Sequence, residues 1–141
     1  MKFVALCFLI LGACAKSNYA DSGGDASDKN AACFVHSREC VSFTWEKMPT
    51  EVQAGDILLK FFLLNAADRT QVLADPQGKI ALSLVMPGMA HGSSDITVVR
   101  EDTGIFRASG LFFSMHGAWE LHVQLKNGDV VSDEAIIPLH F

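Results

Sequence analysis

A strict alternation of side chains near the C-terminus most constrains the fold. Between residues 119 and 126, large apolar residues alternate with polar ones. A period of two is that of a β-strand with one face on a core and the other toward water. Asn127-Gly128 follows directly, and such a pair between two alternating runs is the strongest short-range hairpin signal. The segment therefore predicts two antiparallel strands joined at this turn.

The rest of the chain from residue 41 repeats this kind of pattern. Short apolar runs are separated by turn residues every eight to twelve positions, which is typical of a sandwich or barrel. Another turn is predicted at residues 75 to 78, where Pro76 sets φ and Gly78 supplies a positive φ. We therefore predict an all-β, immunoglobulin-like antiparallel β-sandwich of about seven strands. The predicted strands cover residues 41–47, 57–64, 79–86, 95–101, 104–113, 117–126 and 129–139.

The N-terminus has the features of an export signal. Lys2 precedes an uncharged apolar run over residues 3 to 11, which has the length of a signal-peptide core and is too short to span a bilayer. Residues 11 to 14, Leu-Gly-Ala-Cys, match the bacterial lipobox. We expect residues 1–13 to be removed and Cys14 to carry diacylglycerol and palmitate. The alternative is an ordinary secretory signal cleaved a little later, near Ala15 or Ala20.

Both alternatives place the mature protein outside the cytoplasm. With a lipidated Cys14 it would be anchored to a membrane of the cell envelope and face the periplasm. Because residue 15 is Ala and not Asp, the usual sorting rule favours the outer membrane in a Gram-negative cell. Residues 14–32 are predicted to be the lipidated cysteine and a flexible tether, since their polar composition cannot bury enough apolar surface. Residues 33–141 are predicted to form the single folded domain.

Two further cysteines remain in the predicted mature domain. Cys33 and Cys40 form an even pair in an oxidising compartment, which favours a disulfide. The alternative is a thiolate metal or redox pair. Their spacing is not the Cys-x-x-Cys of a redox motif, so the disulfide is the preferred interpretation.

Charge and motifs exclude two functional classes. A net charge of -5 with eleven Lys and Arg argues against binding to nucleic acid, whose phosphates require a clustered basic surface. The chain has no nucleophile elbow, zinc-protease helix, Walker loop or dinucleotide fingerprint. Residues 93 to 95 lie too close to His91 in sequence to form a supported catalytic triad. We therefore predict a protein that is not an enzyme.

Two segments at predicted strand junctions combine methionine and histidine. The first contains Met86, Met89 and His91, and the second contains Met115 and His116. Thioether and imidazole donors together suit Cu(I), because soft sulfur ligands select it over hard cations. These five residues are the candidate metal ligands if the two junctions lie at one end of the sandwich. Met86 and Met115 could equally fill the core, which is the commoner use of methionine.

Several of these residues also carry a family resemblance. The chain resembles the FixH/YtkA-like family over roughly residues 41 to 137, most clearly at residues 45 to 49, residues 86 to 92, Gly104-Ile105-Phe106, Phe113, Met115, Gly117 and Trp119. The resemblance implies a small extracytoplasmic immunoglobulin-like domain, often membrane-anchored, found with copper handling and maturation of haem-copper oxidases. FixH itself has an N-terminal transmembrane helix, and this chain departs from it by having a lipobox signal.

These observations lead to two functional hypotheses. In the first, the protein is a periplasmic lipoprotein that binds or passes copper(I) through its methionine and histidine cluster. In the second, it is a metal-free binding or assembly module whose methionine-rich end contacts another envelope protein or metalloprotein, because methionine surfaces adapt to varied partners. The distance between the two segments in the folded chain separates the hypotheses.

Overall fold

The structure, a computed structural model, describes residues 30–89 and 95–141, and its regular elements are β-strands. The strands within these ranges are β1 Ala31–Cys33, β2 Cys40–Lys47, β3 Gly55–Leu64, β4 Gln71–Leu73, β5 Lys79–Val85, β6 Thr97–Asp102, β7 Ile105–Leu111, β8 Ala118–Asn127 and β9 Val130–His140. The predicted lipidation site Cys14 and the candidate ligand His91 lie outside the described residues.

The strands form two antiparallel sheets with an immunoglobulin-like order. The larger sheet runs β1-β2-β3-β7-β6, with β4 paired to the end of β3, and the smaller sheet runs β5-β8-β9. Without β1 and β4, this is the four-plus-three arrangement of a constant-type immunoglobulin sandwich. The remaining strands correspond one to one with the seven predicted from the sequence, so the predicted fold class is confirmed.

The alternating segment forms the central strand of the smaller sheet. Trp119, Leu121 and Val123 of β8 are buried, and the polar residues between them are half-exposed on the outer face. The predicted hairpin is present, because β8 pairs antiparallel with β9 from Ala118 to Asn127. Gly128 supplies the positive φ of its turn, at 62°.

Two short strands were not predicted. β1 and β4 have three residues each, which is too short to show an alternating pattern. β1 pairs with the start of β2, so that Cys33 lies opposite Cys40. The predicted tether extended to residue 32, whereas Ala31–Cys33 is part of the sheet.

The core lies between the sheets and receives side chains from both of them. Phe43, Ile57 and Phe61 come from the larger sheet, and Leu121 and Ile137 from the smaller one, all 1% exposed or less. At one end of this core the ring of Phe113 contacts the rings of Trp119 and Phe141, with centroids 5.4 and 4.7 Å away. Such aromatic contacts add to the stabilisation from burial alone.

The loop between β1 and β2 is fixed to β9 by one buried carboxylate. Asp133 accepts hydrogen bonds from the backbone N–H groups of Val35 at 3.3 Å, His36 at 2.9 Å and Ser37 at 2.8 Å. Burial opposes ionisation of Asp133, but the N–H groups of Ser37, His36 and Glu134 outweigh it and lower its pKa. The ionised carboxylate therefore stabilises the folded loop.

We expect Asp133→Asn to lower the free energy of unfolding by about 1.5 to 3 kcal/mol at neutral pH, because hydrogen bonds to a charged acceptor are replaced by bonds to a neutral one. A lowered pKa gives a contribution that is full above the ordinary aspartate value of about 4 and is lost as the pH falls through the pKa of the folded state. Urea unfolding of the wild type and the variant between pH 3 and 7 measures this contribution to the free energy of unfolding. A difference between the variant and the wild type that is independent of pH would contradict the assignment.

Glu39 provides the opposite case in the same loop. It is buried, and its Oε2 has no hydrogen-bond partner among the described residues. Burial raises the pKa of Glu39 and the charge of Asp133 raises it further, against the lowering effect of hydrogen bonds with Gln77 and Ser37. Its ionisation costs stability as the pH rises through this pKa, so Glu39→Gln should leave stability at neutral pH equal or higher. At neutral pH, Asp133→Asn should therefore lower the free energy of unfolding, whereas Glu39→Gln should not.

A disulfide joins Cys33 and Cys40 across the β1–β2 pair. Cys40 is buried while Cys33 is exposed, so the bond closes a short loop at the edge of the larger sheet. We expect neither sulfur to react with an alkylating agent until the protein is reduced. Reduction should lower the free energy of unfolding by roughly 2 kcal/mol, the low end of the usual range for a disulfide, because the loop is short. Two free thiols in freshly isolated oxidised protein would contradict the pairing.

Candidate metal site at one end of the sandwich

The two methionine and histidine segments lie at the same end of the sandwich. Lys47 at the end of β2 pairs with Asp56 near the start of β3, and the end of β7 pairs with Gly55. In the smaller sheet, Val85 at the end of β5 pairs with Glu120 near the start of β8. Phe113, just after β7, contacts Trp119 at the start of β8, so the connections after β2, β5 and β7 lie at the same end of the sandwich. We define the methionine end as residues 48–54, 86–89, 112–117 and Phe141.

Met86 connects the first segment to the second. It is 6% exposed and belongs to the core cluster. A Cβ atom built on Gly117 would lie only 3.2 Å from the terminal methyl carbon of Met86, and Gly117 has a φ of 146°. The segments are therefore in contact, and glycine is needed at 117 for both its conformation and its space. Of the two interpretations of Met86 from the sequence, core packing agrees with its burial.

Met89 and Met115 differ from Met86 because solvent reaches them. Met89 is 51% exposed in a turn closed by its N–H, which donates to the carbonyl of Met86 at 3.1 Å. Met115 is 39% exposed, so it is not a core residue. Its carbonyl accepts a hydrogen bond from the indole Nε1 of Trp119 at 3.1 Å. A buried tryptophan thus holds the backbone that carries an exposed thioether.

His116 is exposed, and two neighbours orient its ring. Its Nε2 lies 3.1 Å from Oε1 of Glu51, in the β2–β3 connection. The ring also stacks on that of Phe141, with centroids 5.1 Å apart and planes 10° apart. Two backbone hydrogen bonds between Gly117 and Phe141, of 2.8 and 3.1 Å, keep this aromatic ring in place. The sequence did not identify Glu51 or Phe141 as neighbours of His116, since no local pattern connects residues so far apart in the chain.

The available donors determine which metal could bind. Within residues 30–89 and 95–141, no group of three or more His, Cys, Asp or Glu side chains is arranged to hold a metal ion. The accessible donors of the two methionine and histidine segments in that range are the thioethers of Met89 and Met115 and the imidazole of His116, and Met48 in the β2–β3 connection is a further exposed thioether outside these segments. Two neutral sulfur donors and one nitrogen suit Cu(I) and are poor ligands for hard cations. The donor set therefore fits the predicted metal.

A second feature adjoins the methionine end. A groove of about 490 Å³ lies between the part of β2 that β1 leaves unpaired and the edge strand β9. Its lining is mostly aromatic and apolar: Phe43, Trp45, Met48, Pro49, Phe113, Pro138, Leu139 and Phe141, with Asn30 and His140. Met48 is 63% exposed at its rim. The sequence did not predict this groove, because its walls come from β2 and β9, which are far apart along the chain.

His122, which lies on the face of the alternating segment predicted to be toward water, belongs to a polar network on the outer face of the smaller sheet. Its Nε2 lies 3.0 Å from Glu120 and its Nδ1 3.1 Å from Glu134, which also accepts a bond from Gln124. The Gln124 bond lowers the pKa of Glu134 most, and His122 lowers it further against the effect of burial. The two carboxylates contact opposite nitrogens, so they do not converge on one point.

In the part of the chain that the structure describes, no helix has the length and apolarity needed to cross a membrane. No protein family, characterised protein or solved structure matches the chain.

Proposed function

We propose that this protein is a non-enzymatic lipoprotein of the cell envelope that holds or passes copper(I) at its methionine end. One observation supports this most directly. The exposed thioethers of Met89 and Met115 belong to two segments that contact each other at Met86 and Gly117, and the exposed imidazole of His116 follows Met115 in the second segment. His91 is a fourth candidate donor in the first segment. Membership of the FixH/YtkA-like family, inferred from the sequence motifs, is part of the same proposal.

The residues suit a carrier better than a permanent metal centre. A thioether carries no proton at neutral pH, so Met89 and Met115 can accept and release a soft cation without a proton transfer. Both side chains reach the surface, where a partner's ligands can approach. The buried indole of Trp119 packs on Phe113 and donates to the carbonyl of Met115, which holds the backbone of the second segment in place.

A titration with Cu(I) under anaerobic conditions tests the proposal. The purified protein should bind one equivalent of Cu(I), compete with a chelator of known affinity, and show no comparable binding of Zn²⁺ or Mg²⁺. The last two metals are the control, because thioethers are poor ligands for them. If a weak chelator removes Cu(I) completely from the protein, this function is refuted.

A metal-free binding or assembly module is the second candidate, and the apolar groove favours it. Exposed apolar patches on small domains often mark contact sites, and the groove is lined by Trp45 of β2 and by Met48, which directly follows this strand. A photo-crosslinking residue at position 140 would report a neighbouring envelope protein in cells. Specific crosslinks together with no Cu(I) binding would make this the better account.

The proposed membrane anchor has a separate test. Replacing Cys14 with Ser removes the thiol that would accept diacylglycerol, so the protein should no longer fractionate with membranes. Metabolic labelling with a palmitate analogue should mark the wild type and not the variant. Cys7→Ser is the matched control, because this cysteine lies in the predicted signal peptide. Unchanged membrane fractionation of Cys14→Ser would contradict the lipobox prediction.

A further inference from the structure

We infer that Glu51 is a positioning residue for the metal site: its carboxylate holds the Nε2–H of His116 and leaves Nδ1 of that ring as the donor to copper. This inference rests on the proposed function, and it specifies which atom of His116 binds and what keeps it available. It starts from the 3.1 Å contact between Nε2 and Oε1 of Glu51.

The chemistry of the two groups determines where the proton lies. An ionised carboxylate only accepts hydrogen bonds, so the nitrogen facing it must carry the proton. A neutral imidazole has a single N–H, and the other nitrogen then presents a lone pair. Within the described residues, no hydrogen bond is made by Nδ1 of His116. The free lone pair is therefore on Nδ1, the ring nitrogen nearer to the backbone of His116.

The supports of both partners argue that the contact is built into the fold. Glu51 lies in a tight turn closed by reciprocal backbone hydrogen bonds between Thr50 and Gln53, of 2.9 and 3.3 Å. On the other side, the ring of His116 lies flat against Phe141. The backbone that carries Glu51 and the ring of His116 are thus each held by an element independent of the other.

The solvent exposure of the pair indicates when the contact matters. Both side chains are mostly exposed, at 70% for His116 and 79% for Glu51, so in the metal-free protein water competes with this hydrogen bond and it adds little stability. Metal binding at Nδ1 withdraws electron density from the ring and makes Nε2–H a stronger donor. The carboxylate in turn makes the nitrogen ligand more basic. The contact should therefore strengthen when copper binds.

The first measurement is the Cu(I) affinity of full-length variants. Glu51→Gln keeps the size of the side chain and removes its charge, and loss of such an outer-shell partner typically weakens metal binding by about 10- to 100-fold. Asp56→Asn is the matched control, since it removes one negative charge at the same end of the sandwich. It should change affinity by much less. Equal losses in the two variants would mean that Glu51 acts only through overall charge, and would overturn the inference.

The second measurement identifies the binding atom directly. Nitrogen-15 NMR of the imidazoles, recorded with and without Ag(I) as a redox-stable substitute for Cu(I), should show the Nδ1 resonance of His116 shifting while Nε2 keeps its proton. His140 provides an exposed reference ring in the same spectrum. A metal-induced shift at Nε2 would overturn the inference while leaving copper binding intact. Absence of metal binding by the wild type would overturn the proposed function and this inference together.

Discussion

Trp119→Ala is expected to lower the free energy of unfolding by about 3 to 5 kcal/mol, the usual cost of removing a large buried aromatic side chain. Trp119 is 2% exposed and sits at the start of the central strand of the smaller sheet. Its ring contacts Phe113 edge-to-face, with centroids 5.4 Å apart and planes at 86°. The substitution would leave a cavity beneath the methionine end that the rigid sheets cannot close. Chemical denaturation monitored by circular dichroism measures the change.

A second variant, Trp119→Phe, separates the contribution of the indole hydrogen bond from that of packing. Phenylalanine retains most of the buried surface but cannot donate the hydrogen bond to the carbonyl of Met115. We expect a smaller loss, of which about 1 kcal/mol represents this bond. The N–H of Gly117, which donates to the carbonyl of Phe141 from the same loop, should exchange its hydrogen faster in Trp119→Phe than in the wild type. If the Phe variant destabilises the protein as much as the Ala variant, the bond to the loop matters more than the packing.

The sequence predicted the sandwich because local patterns specify it. The alternation across residues 119 to 126 sets which face of β8 is buried, and Asn127-Gly128 places the hairpin that follows. What could not be predicted depends on contacts between distant parts of the chain. Asp133 binds N–H groups of a loop about a hundred residues earlier, and a single carboxylate on a strand gives no local sign of this role.

The candidate site was predicted in part for the same reason. Residue types indicated which side chains could bind a soft metal, but only the strand pairing brings the turn after β5 against the loop before β8. The sequence also left Met86 and Met115 equivalent. Burial separates them, since Met86 points into the core and Met115 does not. Glu51 went unnoticed because it lies 65 residues from His116 in an ordinary turn.

The combined Met89→Ala and Met115→Ala substitution is expected to weaken Cu(I) binding by about 100-fold or more. Each lost donor should cost at least tenfold, and every tenfold corresponds to about 1.4 kcal/mol. Because both side chains are exposed, the free energy of unfolding should change by less than about 1 kcal/mol. The measurement is a chelator competition under anaerobic conditions, with urea unfolding of the same preparations.

Two other methionines make this a controlled test. Met86→Ala should behave in the opposite way, with a loss of about 2 to 5 kcal/mol in stability from the cavity it leaves in the core. Met48→Ala removes an exposed thioether at the rim of the apolar groove, outside the two segments, and should alter neither quantity. If the double variant keeps the wild-type affinity, and His91→Ala added to Met89→Ala keeps it as well, the methionine end is not a copper site. A Met48→Ala variant that then loses crosslinks to an envelope protein would assign the function to the groove.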